Sequence, residues 1–167
     1  MTAPARCLIE RLADHDRASF DCGVPALNVY LRTQVGQDIR RRVASCFVAV
    51  DDGGMVQGFY TLAATGIAIT ELQDDLARRL SRYGSIPAYR IGRLAVDLRA
   101  RGRHLGAALL ADALLRARRA EAAAWALVVG AEDDRAAAFY RHHGFLELAG
   151  RPRTMFLPLA SAAKTSA

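Results

Sequence analysis

Residues 90–106 read RIGRLAVDLRARGRHLG, and this stretch decides the fold class because it has the pattern of a strand that runs through a turn into a helix. Tyr89–Val96 is a strand-like run, and Gly102 lies in the turn that follows it. From Gly106 to Ala123 the chain is rich in Ala, Leu and Arg, which predicts a long helix. The amides of a first helical turn all point one way, and the helix dipole adds positive charge. The stretch therefore predicts an anion site.

On both sides of this junction the sequence alternates predicted strands and helices. Pro25 opens a helix after the turn at residues 21–25, and the turn Asp51-Asp52-Gly53-Gly54 predicts a hairpin. The hairpin strands are Cys46–Val50 and Met55–Ala64. Further strands are predicted at Trp125–Val129, Phe145–Leu148 and Thr154–Leu159. Further helices are predicted at Leu72–Leu80 and from Asp133 or Asp134 to Gly144. Gly84–Pro87 is expected to break the chain before Tyr89. This order predicts a mixed α/β fold with a partly parallel sheet covered by helices.

Length and composition are those of one ordinary domain, with 167 residues of which 52% are apolar. We expect a single domain over residues 1–159 and a loose tail over residues 160–167. No uncharged apolar run approaches the about 18 residues that span a bilayer, so no membrane segment is expected. The sequence has three cysteines, Cys7, Cys22 and Cys46. They are odd in number, lack metal-ligand spacing and follow no signal peptide, which favours a reducing cytoplasm as the compartment.

The charge and the turn sequence narrow the class of protein. The net charge is +6, and Lys164 is the only lysine. An arginine excess fits a polyanionic partner such as a nucleic acid, although an Arg- and Ala-rich genome that encodes ordinary surface cations explains it equally well. No Gly-Lys-Ser/Thr follows the turn and no G-x-G-x-x-G is present, which disfavours a nucleoside triphosphatase. No metal site is expected, because no Cys, Asp or Glu stands at ligand spacing from the clustered histidines, which are expected to be solvated: His104, His142 and His143.

Two motifs in this order resemble the GCN5-related N-acetyltransferase (GNAT) family. The first is its Gln/Arg-x-x-Gly-x-Gly/Ala loop, with Arg101, Gly102, Arg103, His104, Leu105 and Gly106 here; His104 replaces the usual middle glycine. The second is Asn-x-x-Ala-x-x-hydrophobic-Tyr-x-x-x-Gly-Phe, met by Asp133, Ala136, Phe139, Tyr140, Gly144 and Phe145, with Asp133 replacing Asn. The resemblance implies a central mixed, twisted sheet of about six to seven strands flanked by helices, and acetyl-CoA as co-substrate.

The same resemblance assigns residue roles. Residues 101–106 bind the diphosphate of acetyl-CoA, the backbone of Leu94, Ala95 and Val96 bonds to the pantetheine arm, and Asp133, Ala136 and Phe139 complete the cofactor set. Tyr140 is the general acid, because a phenol keeps its proton at neutral pH and can protonate a departing thiolate. The alternative for Tyr140 is a core tyrosine packed beside Phe139. Asp97 is expected to cap the turn or to hold an arginine, without a chemical role.

Further strings resemble one branch of the family, the GNAT toxins of toxin–antitoxin modules. They are FDCG at 20–23 leading to LNVYLR at 27–32, GFYTLA at 58–63, IGRLAVD at 91–97, and RAAAFYR at 135–141. This branch acetylates the α-amine of aminoacyl-tRNA and blocks translation. The resemblance further implies a homodimer and a small ribbon–helix–helix antitoxin. Arginines outside the cofactor loop are then candidates for tRNA phosphates: Arg40, Arg41, Arg42, Arg78, Arg79, Arg82, Arg90 and Arg93.

Two other functions remain open from the sequence. One keeps the acetyltransferase and changes the acceptor to a small amine or a protein. The other is a non-catalytic module that uses the fold to bind CoA or nucleic acid, because a fold does not guarantee an activity.

Overall fold

A computed structural model of the protein describes residues 7–161. Its strands are β1 (Leu8–Arg11), β2 (Ser45–Val50), β3 (Val56–Ala68), β4 (Ser85–Val96), β5 (Ala126–Gly130), β6 (Leu146–Glu147) and β7 (Thr154–Pro158). Its helices are α1 (Pro25–Val29), α2 (Val35–Arg40), α3 (Asp74–Arg79), α4 (Leu105–Arg119) and α5 (Asp134–His142). A π-helical turn, Tyr30–Gln34, connects α1 to α2, and short 3₁₀ turns cover Ile69–Glu71 and Leu98–Ala100.

The strands form one seven-stranded sheet in the order β1-β2-β3-β4-β5-β7-β6. β4 and β5 are parallel, whereas β1 with β2, β2 with β3, β5 with β7 and β6 with β7 are antiparallel. The prediction of a mixed α/β fold with a partly parallel sheet flanked by helices is therefore confirmed.

The chain divides into two compact units. The first contains residues up to 63 together with 92–113, and the second contains residues 64–91 together with those from 114 onward. The single domain expected over residues 1–159 stays a prediction. Of the expected tail, Ala160 and Ser161 are helical, and residues 162–167 lie outside the described residues.

Each unit has its own apolar core. In the first unit Phe59 of β3 contacts two aromatic rings, with centroid distances of 5.6 Å to Phe20 and 6.4 Å to Tyr30, and Leu31 and Val35 are fully buried beside them. In the second unit Trp125 stacks on Phe156 of β7 at 5.7 Å. Such packing of apolar side chains is the main source of folding free energy in a domain of this size.

Several element boundaries differ from the expectations, and β3, for example, continues to Ala68 instead of ending at Ala64. The edge strand β1 was not predicted, because the four residues LIER carry no turn signal or long alternation. β4 begins at Ser85 and includes Pro87, whose carbonyl accepts the Trp125 amide at 2.8 Å, so the expected break before Tyr89 does not occur. The long helix ends at Arg119 instead of Ala123, and the Ala122 carbonyl accepts a bond from the Tyr89 hydroxyl at 3.0 Å.

Candidate active site

The predicted anion site lies in the first unit, where the chain passes from β4 into α4. The 3₁₀ turn Leu98–Ala100 follows β4, and the first hydrogen bond of α4 runs from the Ala108 amide to the His104 carbonyl at 3.1 Å. The amides of Leu105, Gly106 and Ala107 precede that bond, so α4 itself offers them no acceptor. These three donors at the positive end of a helix dipole can bind an anion.

The loop backbone takes two left-handed residues within three positions. Gly102 has φ +78° and His104 has φ +59°. The family pattern has glycine at the position of His104, and the observed φ gives the physical reason, because glycine adopts a left-handed conformation without steric cost. His104 thus keeps the backbone shape of the motif while carrying a side chain, which is exposed to solvent.

Asp97 connects the end of β4 to the loop, and sequence reasoning gave it no chemical role. Its side chain is 1% exposed and accepts bonds from the Asp21 amide at 3.0 Å and from the Arg99 amide at 2.9 Å. Nε and Nη2 of Arg99 each donate to this carboxylate at 2.9 Å, so Asp97 both caps the turn and holds an arginine. Burial alone would raise the pKa of Asp97, but the hydrogen bonds from Arg99 and the Asp21 amide lower it to about 2.

A cavity of about 450 Å³ lies beside this loop within the first unit. Arg99, Arg103 and Leu105 line it together with side chains from outside the loop, among them Cys7, Asp51, Met55 and Gln57. Asp51 is engaged locally, accepting the Gln57 amide group at 2.9 Å. The volume is within the range of small-molecule sites.

The strand before the loop carries the other cofactor candidates of the first unit. Ala95 is buried, whereas Leu94 and Val96 are half-buried. The parallel ladder of β4 with β5 ends at the pair Ile91 and Val129, while β4 itself continues to Val96.

The second motif forms helix α5 in the second unit. Asp133, in extended conformation, caps the helix by accepting the Ala136 amide at 2.8 Å. Gly144 follows the helix with φ +90°, as expected for a glycine after a helix end. Asp133 replaces Asn without loss of the cap, because either side chain offers an oxygen acceptor.

Tyr140 is on α5, with its side chain between two aromatic neighbours. Its ring centroid is 5.2 Å from that of Phe139 and 5.5 Å from that of Phe145, and the residue is 7% exposed. Its hydroxyl makes no hydrogen bond to any of residues 7–161. Burial raises the pKa of Tyr140 to about 12, and the negative charge of Glu132 acts in the same direction. The phenol is therefore protonated at neutral pH and has a proton to donate.

The family model of the acetyltransferase (GNAT) domain matches residues 42–147. The chain belongs to the GNAT family. The match contains both motifs, so the resemblance drawn from them is confirmed.

Two curated relatives of this GNAT chain are toxins. A probable toxin TacT from Sinorhizobium fredii is 34% identical, over 96% of this chain and 95% of that protein. A tRNA-acetylating toxin from Mycobacterium tuberculosis is 36% identical, over 81% of each chain. Both matches extend beyond the family model, so the likeness includes sequence outside the GNAT core.

Solved structures of one toxin, AtaT, share the GNAT fold of this chain. AtaT complexed with acetyl-methionyl-tRNAfMet is 28% identical, with a TM-score of 0.88, over 97% of this chain and all of that one. A tyrosine-to-phenylalanine mutant of AtaT bound to the C-terminus of the antitoxin AtaR and acetyl-CoA is 28% identical, with a TM-score of 0.79, over 96% and 97%.

The eight arginine candidates for tRNA binding fall into both units of the GNAT chain. Seven are exposed, with Arg40, Arg41 and Arg42 in the first unit and Arg78, Arg79, Arg82 and Arg90 in the second. Arg93 differs: it is half-buried, and its guanidinium lies 3.6 Å from the centroid of the Tyr30 ring. Arg78 is 3.9 Å from Asp75, and Arg82 donates to the neighbouring Tyr83 hydroxyl at 2.6 Å.

The histidines of the GNAT chain show one departure from expectation. His143, expected to be solvated, is half-buried with its ring centroid 4.8 Å from that of Phe139. Within residues 7–161 no group of three or more His, Cys, Asp or Glu is arranged to hold a metal ion. No helix in this part of the chain is long and apolar enough to cross a membrane.

Proposed function

We propose that this chain is an acetyl-CoA-dependent N-acetyltransferase toxin that acetylates the α-amine of aminoacyl-tRNA and so blocks translation. One observation carries the proposal: the match to toxin relatives covers 96% and 81% of the chain, beyond the catalytic family core of residues 42–147. A shared GNAT core alone would support only acetyl transfer, because the fold serves many acceptors.

Acetyl-CoA binding is assigned to the loop and to the strand before it. The amides of residues 101–106 hold the diphosphate, and Gly102 and His104 supply the left-handed turns that aim those amides. The main chain of Leu94, Ala95 and Val96, beyond the end of the ladder with β5, pairs with the pantetheine amides. Asp133, Ala136 and Phe139 complete the proposed cofactor set.

Tyr140 is the proposed general acid. The neutral α-amine attacks the thioester carbonyl, the carbon–sulfur bond breaks, and the departing thiolate takes the phenolic proton. Water accepts the proton that the amine loses, and solvent reprotonates the phenolate, so the products are N-acetyl-aminoacyl-tRNA and CoA. Water suffices as base because an α-amine has a reference pKa near ~8 and is partly neutral at physiological pH. The phenol is protonated at neutral pH with its ordinary pKa as well as with the raised one, so it has the proton that the thiolate takes.

The tRNA acceptor stem is proposed to bind the exposed arginines. Guanidinium groups bind phosphates with two parallel bonds and keep their charge at all physiological pH values. Arg41, Arg42, Arg79 and Arg90 form no ion pair or hydrogen bond through their side chains within residues 7–161, so their guanidinium groups are open to a ligand.

The proposed partners are a ribbon–helix–helix antitoxin and a second copy of the chain. The antitoxin AtaR bound to AtaT in a solved relative supports an antitoxin as partner. A cytoplasmic location is proposed because Cys7, Cys22 and Cys46 are free thiols. A reading frame for a small ribbon–helix–helix protein beside this one, and a dimer mass by light scattering, are the expected observations.

The decisive experiment offers radiolabelled acetyl-CoA to the purified chain together with charged tRNA. The matched controls are the same tRNA without its amino acid and the same tRNA with its α-amine already acetylated. We expect label only on the charged tRNA with a free amine. If free amines, amino acids or protein N-termini are labelled and charged tRNA is not, the acceptor assignment is wrong. No labelling by a protein that binds acetyl-CoA would point to a binding module instead.

A further inference from the structure

Three arginines lie between β4 and α4, and their side chains have different partners. Arg99 is bonded to Asp97 and also donates to the Ser19 carbonyl at 3.2 Å. Arg101 donates to the Cys22 carbonyl at 3.1 Å. Arg103 faces the cavity and makes no hydrogen bond or ion pair with residues 7–161. Two of the three guanidinium groups therefore hold the segment 19–22, and Arg103 is the one of the three that makes no bond within residues 7–161.

The bonds to this segment continue on its backbone. The Leu98 amide donates to the Asp21 carbonyl at 2.9 Å, and the Asp21 amide donates to the Asp97 carboxylate. The amide and the carbonyl of Asp21 are therefore both hydrogen-bonded to residues 97 and 98, where the chain enters the 3₁₀ turn Leu98–Ala100. The main chain of Asp97 is also bonded to β3, because its amide donates to the Gln57 carbonyl at 2.8 Å.

The same segment is bonded to helix α1 through Asn28, which is 8% exposed. The Asn28 oxygen accepts the Cys22 amide at 2.9 Å, and its amide nitrogen donates to Asp21 Oδ1 at 2.9 Å. We call Asp21, Asn28, Asp97 and Arg99 the clamp. It forms a continuous path of hydrogen bonds from α1 through the segment 19–22 to the loop.

We propose that the clamp positions the acetyl-CoA loop, with Asp97 as its central positioning residue. The inference rests on the proposed function, because it takes acetyl-CoA as the ligand of the loop. A left-handed conformation at a non-glycine residue is strained and persists only where its surroundings determine it. His104 has that conformation, and the clamp fixes the chain a few residues before it. Without the clamp, binding would have to order the loop, and affinity would fall.

The test compares acetyl-CoA binding and turnover in Asp97→Asn, Arg99→Gln and the wild type. We expect the acetyl-CoA Kd from calorimetry and the acetyl-CoA KM to rise about 10- to 100-fold in Asp97→Asn. The kcat at saturating acetyl-CoA is expected to stay within about threefold, because Asp97 touches no reacting atom. Glu10→Gln is the matched control: its carboxylate pairs with His15 at 2.7 Å in the same unit, and acetyl-CoA affinity should not change.

A purely structural role would lower thermal stability and leave the Kd of the folded protein unchanged, and that result would overturn the proposal. Arg99→Gln decides the matter if Asp97→Asn does not fold, because the Arg99 side chain is 50% exposed and its loss leaves no buried cavity. Unchanged acetyl-CoA affinity in folded Arg99→Gln would likewise overturn it. Failure of the wild type to bind acetyl-CoA would instead refute the proposed function, and the clamp's role with it.

Discussion

Tyr140→Phe separates the chemical role of this residue from its packing role. The substitution removes only the hydroxyl, and phenylalanine keeps the ring contacts with Phe139 and Phe145. No hydrogen-bond partner among residues 7–161 is left unsatisfied, because the hydroxyl has none there. We therefore expect the free energy of unfolding to change by less than about 1 kcal/mol.

The expected loss of turnover is much larger. With a pKa of about 12, only about one phenol in 30,000 is ionised at pH 7.5, so almost every enzyme molecule has the proton that the thiolate needs. General acid catalysis contributes about 100- to 10,000-fold, and kcat should fall by that factor in Tyr140→Phe. The acetyl-CoA Kd should stay within about threefold, because the hydroxyl acts only when the carbon–sulfur bond breaks.

The pH dependence gives a second, independent check. A phenol whose pKa is raised this far stays protonated through the neutral range, so it contributes no loss of rate as the pH rises. The rate should instead increase with pH as the α-amine of the acceptor becomes neutral, reach about half of its plateau near the α-amine pKa of ~8, and level about one pH unit higher. The assay is the initial rate of acetyl transfer to charged tRNA, measured from about pH 6 to about pH 9.5, so that the plateau is reached.

The matched control is Tyr89→Phe, which removes a hydroxyl that donates to the Ala122 carbonyl at 3.0 Å in the same unit. Its turnover should stay within about twofold of wild type. The general-acid role is refuted if Tyr140→Phe keeps more than about a third of the wild-type kcat, or if its acetyl-CoA affinity falls as much as its turnover.

Three further predictions concern the loop, acid stability and the acceptor surface. His104→Gly should stabilise the fold by up to about 1 kcal/mol in urea denaturation, because the strain removed at φ +59° exceeds the entropy that glycine adds to the unfolded chain; a clear loss of stability would contradict this. The pKa of Asp97 is lowered from 3.8 to about 2, so its about 2 kcal/mol of stability is present above pH 4 and is lost as the pH falls from there toward 2; acid denaturation of Asp97→Asn should lack this component. Arg90→Gln should raise the KM for charged tRNA and reduce the salt slope of tRNA binding by about 1, whereas Arg141→Gln, which removes an exposed pair with Glu147, should do neither.

Local sequence predicts the parts of this molecule whose shape is set by neighbouring residues. The loop and helix α5 belong to this class: glycine spacing, the Asp133 cap and the glycine after the helix each act within a few positions. The same is true of the hairpin at residues 51–54, where the turn itself fixes which strands pair. Here composition and motif are enough, because the interactions that decide the structure are local.

Elements whose structure depends on residues far away in the chain cannot be predicted from local sequence. The edge strand β1 is four residues long, and only its pairing with β2 makes it a strand. The Asp21 amide and the Asp97 carboxylate are 76 positions apart, so no local pattern joins them. The similarity of FDCG at 20–23 to the toxin branch did mark this segment, but its bond to the cofactor loop is visible only in the fold.

How much each arginine contributes to anion binding depends on what its side chain contacts. Counted by sequence, Arg99, Arg101 and Arg103 add three positive charges to the anion site. In the structure Arg99 is neutralised by the buried Asp97, and Arg101 is directed at a backbone carbonyl. Under the proposed function, the attraction for phosphate there should depend mainly on backbone amides, the helix dipole and Arg103. Acetyl-CoA binding should therefore depend less on salt than tRNA binding, where the exposed arginines each neutralise a phosphate.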